Sequence, residues 1–163
     1  MLLTANGIMI SKACYLIQLW GGCEGYLLHA IQVQLNRAAR IITGKSGYIS
    51  TRKLMEACGW LSAKQLVVYQ STLMIHKTIL TWKPYYLHSR LNQEYSYETR
   101  QQTSGCIRLD QTFRYRGDLP RNSFRVRGTT GYNSLPADIR ASLTMTTFKS
   151  KLKKWIRTHI SLE

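Results

Sequence analysis

Apolar residues return every three or four positions through the first half of the chain. Leu28, Ile31, Leu35, Ala38 and Ile42 make one such stripe and predict a helix from about Tyr26 to Thr43, with His29, Asn36, Arg37 and Arg40 opposite. Before it, Ile8 to Trp20 has a nearly continuous apolar surface, broken by Ser11 and Gln18 on one side and interrupted by Lys12, and reads as a helix ended by Gly21-Gly22. Residues 44–50 read as a turn or short loop, and Thr51 to Cys58 as a short helix stopped by Gly59. Ser62 can cap a longer helix to about Trp82, closed by Pro84. Its polar strip is only Gln70, Lys77 and Thr81, so this helix is expected to be buried on most sides.

The pattern changes after Leu91. Residues 92–105 are polar and rich in Gln, Ser, Thr and Tyr, which predicts a linker or extended arm. From Cys106 to Arg127 short alternating runs, Ile107-Arg108-Leu109 and Phe124-Arg125-Val126-Arg127, predict strands, with a turn over 117–120. Tyr132 to Pro136 reads as a tight loop or single turn. A last helix from about Thr144 to His159 is predicted by the stripe Met145, Phe148, Leu152, Trp155 and Ile156. The expected fold is mainly α: a helical bundle lobe over residues 1–91, then a small basic α+β lobe over 92–163.

Charge adds what periodicity does not carry. Lys and Arg total 23 against 8 acids, a net charge of +15 on 163 residues. Such an imbalance repels itself in the compact state, and a polyanion is the usual compensation. Nucleic acid leads as partner, with an anionic membrane surface second. No segment reads as a signal or a membrane span, so an intracellular, nuclear or cytoplasmic protein is expected, not a secreted one. Cys14, Cys23, Cys58 and Cys106 are far apart and form no CxxC pair, which predicts buried, reduced thiols rather than a zinc site or a disulfide scaffold.

The acids, Glu24, Glu56, Glu94, Glu98, Asp110, Asp118, Asp138 and Glu163, are scattered singly. Two-metal polymerase or nuclease chemistry needs several acids converging on ions. No Gly-x-Ser-x-Gly elbow, Walker motif or Rossmann glycine pattern occurs, and His29, His76, His88 and His159 stand apart. No catalytic residue, metal site, cofactor or small-molecule substrate is expected.

Three basic clusters remain. Arg108, Arg114, Arg116, Arg121, Arg125 and Arg127 alternate with Phe113, Tyr115 and Phe124; arginine grips phosphate bidentately and aromatic faces can stack on unpaired bases. On the last helix, Lys149, Lys151, Lys153, Lys154 and Arg157 lie away from the apolar stripe, where phosphate contacts give affinity without reading sequence. The third cluster is Arg37 and Arg40 with Lys45, bracketed by Gly44 and Gly47. Each has a plainer alternative: a solvated strand face, a solvated amphipathic face, or a helix end favouring cations through its dipole.

Several ordered pieces carry a resemblance. They are Gly7 to Lys12, Leu19 to Gly22, Leu35-Asn36-Arg37-Ala38-Ala39-Arg40-Ile41-Ile42-Thr43-Gly44, Cys58 to Ser62, Lys83 to Leu87, Tyr97 to Arg100, and the block from Asn133-Ser134-Leu135-Pro136 to Trp155. Together they resemble the thumb and the region beyond it in non-LTR, LINE-type retrotransposon reverse transcriptases of the jockey and chicken-repeat groups. Tyr132 stands where that family usually has Trp. The resemblance implies helices that grip template and primer, with the Asn36–Arg37 motif facing nucleic acid. The palm and fingers have no counterpart here, so polymerase activity is not carried over.

The resulting expectation is a non-catalytic module binding RNA, DNA or an RNA/DNA hybrid, with the polymerase part of the same element as a further candidate partner. Its contacts would come from Asn36, Arg37, Arg40, Lys45, Arg108, Arg114, Tyr115, Arg116, Arg121, Arg125, Arg127, Lys149, Lys153, Lys154 and Arg157. The alternative is an interaction or structural fragment that needs the missing polymerase half, or a retroelement remnant without independent function.

Overall fold

The computed structural model describes residues 4, 6–45, 49–91, 109 and 122–160, and every regular element among them is helical. A π-helical turn, Asn6–Ile10, leads into α1 (Ser11–Cys14), α2 (Ile17–Trp20), α3 (Gly25–Thr43), α4 (Thr51–Cys58) and α5 (Ala63–Thr81). Then follow α6 (Tyr85–Leu91), α7 (Phe124–Asn133), α8 (Ala137–Arg140) and α9 (Met145–His159). Two compact units form, residues 1–67 with 156–163, and residues 68–155, whereas the change in composition falls at residue 91. Among the described residues no helix is long and apolar enough to cross a membrane.

In the first unit α3 packs on α4, and Leu35, Ala39, Leu54, Met55 and Cys58 are buried between and around them. Each helix ends where a glycine takes the left-handed conformation, Gly44 at φ 63° and Gly59 at φ 68°, which a side chain would strain. A polar brace ties three helices: Gln32 donates to Asn36 Oδ1 (2.9 Å), and Asn36 donates to Thr51 Oγ1 (3.1 Å). The Ala63 amide in turn donates to Gln32 Oε1 (2.7 Å). The start of α5 is a capping box, in which Gln65 N–H donates to Ser62 Oγ (3.2 Å) and Ser62 N–H to Gln65 Oε1 (3.1 Å). Gly21 is buried with no room for a side chain, since a Cβ there would lie 2.9 Å from Val67 Cγ1.

The second unit is organised around α5, α7 and α9. Ile75, Tyr132, Phe148 and Leu152 are all essentially inaccessible. His76 sits among them, stacked on Phe148 with ring centroids 3.6 Å apart and planes 9° from parallel. Its Nε2 is 3.1 Å from the Ser142 carbonyl and its Nδ1 3.4 Å from the Tyr132 hydroxyl. A carbonyl only accepts, so Nε2 carries the proton and Nδ1 accepts from Tyr132. Asn133 makes a paired contact with the backbone of Leu109: the Leu109 amide donates to its Oδ1 (3.0 Å), and its Nδ2 donates to the Leu109 carbonyl (2.8 Å). Leu135 and Ile139 are buried just beyond, and the buried Arg140 guanidinium donates to the Leu135 carbonyl (3.1 Å). The Asn133-Ser134-Leu135-Pro136 piece is therefore a packing device: an amide clamp, a core leucine and a helix start.

The expected helix over residues 63–81 is present and largely buried, with only Lys64, Lys77, Leu80 and Thr81 exposed. Its buried threonines return their hydroxyls to the preceding turn, Thr72 to Val68 O (2.7 Å) and Thr78 to Met74 O (2.9 Å), so burial leaves neither hydroxyl without a partner. The last helix also forms, with Phe148, Leu152 and Ile156 fully buried on one side.

Two expectations are corrected. Residues 8–20 do not form one helix: the chain breaks at Leu16, which is left-handed at φ 48°, between α1 and α2. The segment is not buried on all sides: Ile17 is buried, while Tyr15 and Leu19 are more than two-thirds exposed. Residues 124–127 are not a strand but the start of α7, where the Val126 amide donates to Ser123 Oγ (3.5 Å). Four alternating residues are too few to fix a period, and the residues that bury this helix are Gly128, Thr129 and Tyr132 at helical spacing. Gly128 permits a close approach, since a Cβ there would lie 2.6 Å from Ile75 Cδ1. Of Tyr132 to Pro136, the first two residues end α7 and the rest form the expected turn. The expected linker over 92–105, turn over 117–120 and first strand before Leu109 lie outside the described residues.

Candidate nucleic-acid interface

The helical phase of α3 turns Leu35 and Ala39 inward and leaves Arg37 and Arg40 exposed, one turn apart on the same side. Lys45 follows the Gly44 cap and is exposed as well. Carbonyl groups at the end of α3 favour cations in its last turn, a contribution of about 0.3–1 kcal/mol each at the surface. Asn36 does not join them: it is half-buried and its amide is engaged with Gln32 and Thr51.

On α9, Lys149, Lys153 and Arg157 recur every four residues, beside the buried Phe148, Leu152 and Ile156. Like charges at this spacing repel by a few tenths of a kcal/mol per pair. Lys149 and Lys154 are exposed and Lys153 is half-buried. Arg157 is exposed and donates through Nη2 to the Gly59 carbonyl (2.9 Å), a hold that positions its guanidinium. Lys151 is occupied differently, reaching both carboxylate oxygens of Asp138 at 3.1 Å.

Arg125 and Arg127 lie on α7 and are half-buried, with Arg127 Nη1 donating to the Asn122 carbonyl (3.2 Å). Arg108, Arg114, Tyr115, Arg116 and Arg121 lie outside the described residues, as does Phe113. Among the described residues two ion pairs occur, Arg52 with Glu56 (3.0 Å) and Lys151 with Asp138 (3.1 Å). Arg37, Arg40, Lys45 and Lys149 are in neither.

Sequence reasoning passed over a cluster that exposure reveals. Trp82, Tyr85 and Tyr86 are 65%, 77% and 69% exposed. Their composition gave no warning, because aromatic side chains are counted first as core.

The described residues contain no group of three or more His, Cys, Asp or Glu side chains that could hold a metal ion. Among the described residues two titratable groups are clearly perturbed. Burial holds the His76 imidazole below its ordinary 6.5, opposed by its bond to Ser142, and burial pushes the Cys58 thiol up. Neither lies in a basic cluster, and both serve packing. Comparison with protein-family models, curated proteins and solved structures returns no match to this chain.

Proposed function

We propose that this chain is a non-catalytic nucleic-acid-binding module that grips the phosphate backbone of RNA, DNA or their hybrid. The observation that carries this reading is the set of exposed cations Arg37, Arg40, Lys45 and Lys149, outside any ion pair among the described residues, in a chain of net charge +15. Phosphate contacts from such side chains release counterions and give affinity without base readout. The ordered resemblance to the thumb and tail of LINE-type reverse transcriptases supports the same partner class, and a nuclear or cytoplasmic setting follows from it. The test is filter binding of the whole chain to single-stranded RNA, single-stranded DNA and a hybrid duplex between about 50 and 200 mM salt. Affinity that falls log-linearly with salt supports the proposal; a flat response, or no binding at low salt, ends it.

A second reading is favoured by one observation. Ile8, Leu19, Tyr26 and Ile41 are 52%, 72%, 67% and 71% exposed in the first unit, an apolar surface suited to a protein partner such as a polymerase domain. Under that reading the isolated chain self-associates, and light scattering at low and high protein concentration distinguishes it from a monodisperse nucleic-acid binder.

A further inference from the structure

The aromatic residues around the start of α6 are exposed and lie outside the basic clusters. Trp82 lies in the connection between α5 and α6, and Tyr85 and Tyr86 open α6. All three are well over half exposed. The Trp82 backbone is left-handed at φ 58°, and its ring lies on His88 with centroids 4.4 Å apart and planes 20° from parallel. His88 is itself 6% exposed, so the indole is backed by a buried ring on one face while the residue stays 65% exposed. A ring seated this way is held in orientation before any ligand arrives, which lowers the ordering cost of stacking on it.

Among the described residues, the charged side chains flanking it along the chain have one sign. Lys77, Lys83 and Arg90 are exposed, and no acid occurs anywhere between Glu56 and Glu94. Three residues separate Trp82 from Tyr86, so over four steps their Cα atoms lie within about 14 Å, the span of a few stacked nucleotides. Flat apolar faces beside cations match unpaired bases on a phosphate backbone; a base-paired duplex hides those faces. A protein partner of average surface offers no comparable reason for a one-signed rim.

From this arrangement we infer that Trp82, Tyr85 and Tyr86 are a stacking platform for unpaired bases of single-stranded nucleic acid, with Lys77, Lys83 and Arg90 holding its phosphates. The inference rests on the nucleic-acid reading above and specifies which strand form this surface takes.

The experiment uses the full chain with a fluorescein-labelled 20-nucleotide oligothymidine, a 20-base-pair duplex and anionic phosphatidylserine vesicles. Tyr85→Ser/Tyr86→Ser and Trp82→Ala are compared with Tyr85→Phe/Tyr86→Phe, all checked by circular dichroism for native helicity. Both tyrosines are exposed, so the serine pair tests the platform even where Trp82→Ala unfolds. Each lost stacking ring is expected to weaken single-strand binding roughly 5- to 150-fold, with duplex binding and the salt slope unchanged, because no charge is removed. The phenylalanine pair is expected to bind as the parent does. The inference is overturned if the serine pair binds the single strand as tightly as the parent, if the phenylalanine pair loses as much as the serine pair, or if the substitutions abolish vesicle binding and spare the oligonucleotide. Salt-dependent binding by the parent with unchanged affinity in the serine pair refutes only the platform; no binding of either nucleic acid by the parent refutes the nucleic-acid reading as well.

Discussion

Acidification below neutral pH should loosen the second unit through one side chain. His76 is 2% exposed and stacked on Phe148, and burial favours its neutral form, in which Nε2 donates to the Ser142 carbonyl and Nδ1 accepts from the Tyr132 hydroxyl. Burial depresses its pKa, so between that value and the ordinary 6.5 the unfolded chain holds a proton that the folded chain does not. Stability therefore rises with pH in this window: the contribution is complete above about 6.5 and is lost as pH falls toward the folded value. The slope is at most about 1.4 kcal/mol per pH unit for one proton. Carrying pH from 7.5 to 5.5 enters that window from above and should lower stability, by no more than that slope allows. The assay is urea unfolding followed by circular dichroism at pH 7.5, 6.5 and 5.5, for the parent and for His76→Phe. The variant keeps a ring against Phe148 but leaves the Ser142 carbonyl without its donor, a cost of about 1–3 kcal/mol at pH 7.5. Every other side chain is common to both proteins, so the difference between the two curves reports His76. That difference should shrink on acidification; parallel curves from pH 7.5 to 5.5 would refute the assignment.

Asn133→Ala removes both bonds to the Leu109 backbone and should lower unfolding free energy by about 2–3 kcal/mol, read from the urea midpoint. Asn133→Asp keeps only an acceptor, so it should recover part of that loss at most. Gly128→Val places a branched side chain where Ile75 Cδ1 already lies and should cost about 1–3 kcal/mol, partly restored by Ile75→Val in the same chain. Arg37→Ala with Arg40→Ala should reduce the salt slope of nucleic-acid binding by about 1.4–1.8, the loss of two phosphate contacts, while leaving the melting temperature within a few degrees.

Helices were legible wherever burial falls on one apolar stripe. The Leu35 stripe of α3 and the Phe148-Leu152-Ile156 stripe of α9 are of this kind, and the burial of α5 follows from its having almost no polar face. The start of α7 was hidden because its packing residues are a glycine, a threonine and a distant tyrosine, none of which raises an apolar signal at residues 124–128. The break at Leu16 was hidden because continuous apolarity says that something is buried without saying which side. For the candidate interface, the number of cations is a property of composition, but their availability is a property of geometry. Asn36 reads as exposed beside Arg37 and is spent on Thr51 and Gln32, while Trp82, Tyr85 and Tyr86, given no site role from the sequence, face solvent.

The hold of Asn133 on residue 109 is lopsided in what it demands of its two ends. At position 133 the chain must supply a short amide, because only that group offers a donor and an acceptor in one plane at that reach. At position 109 the bonded atoms are main chain, common to every residue but proline, and the buried leucine side chain asks only for apolar volume. Mutational drift should thus be free to exchange Leu109 for isoleucine or methionine while position 133 stays fixed, and a saturation library at both sites would separate the two tolerances.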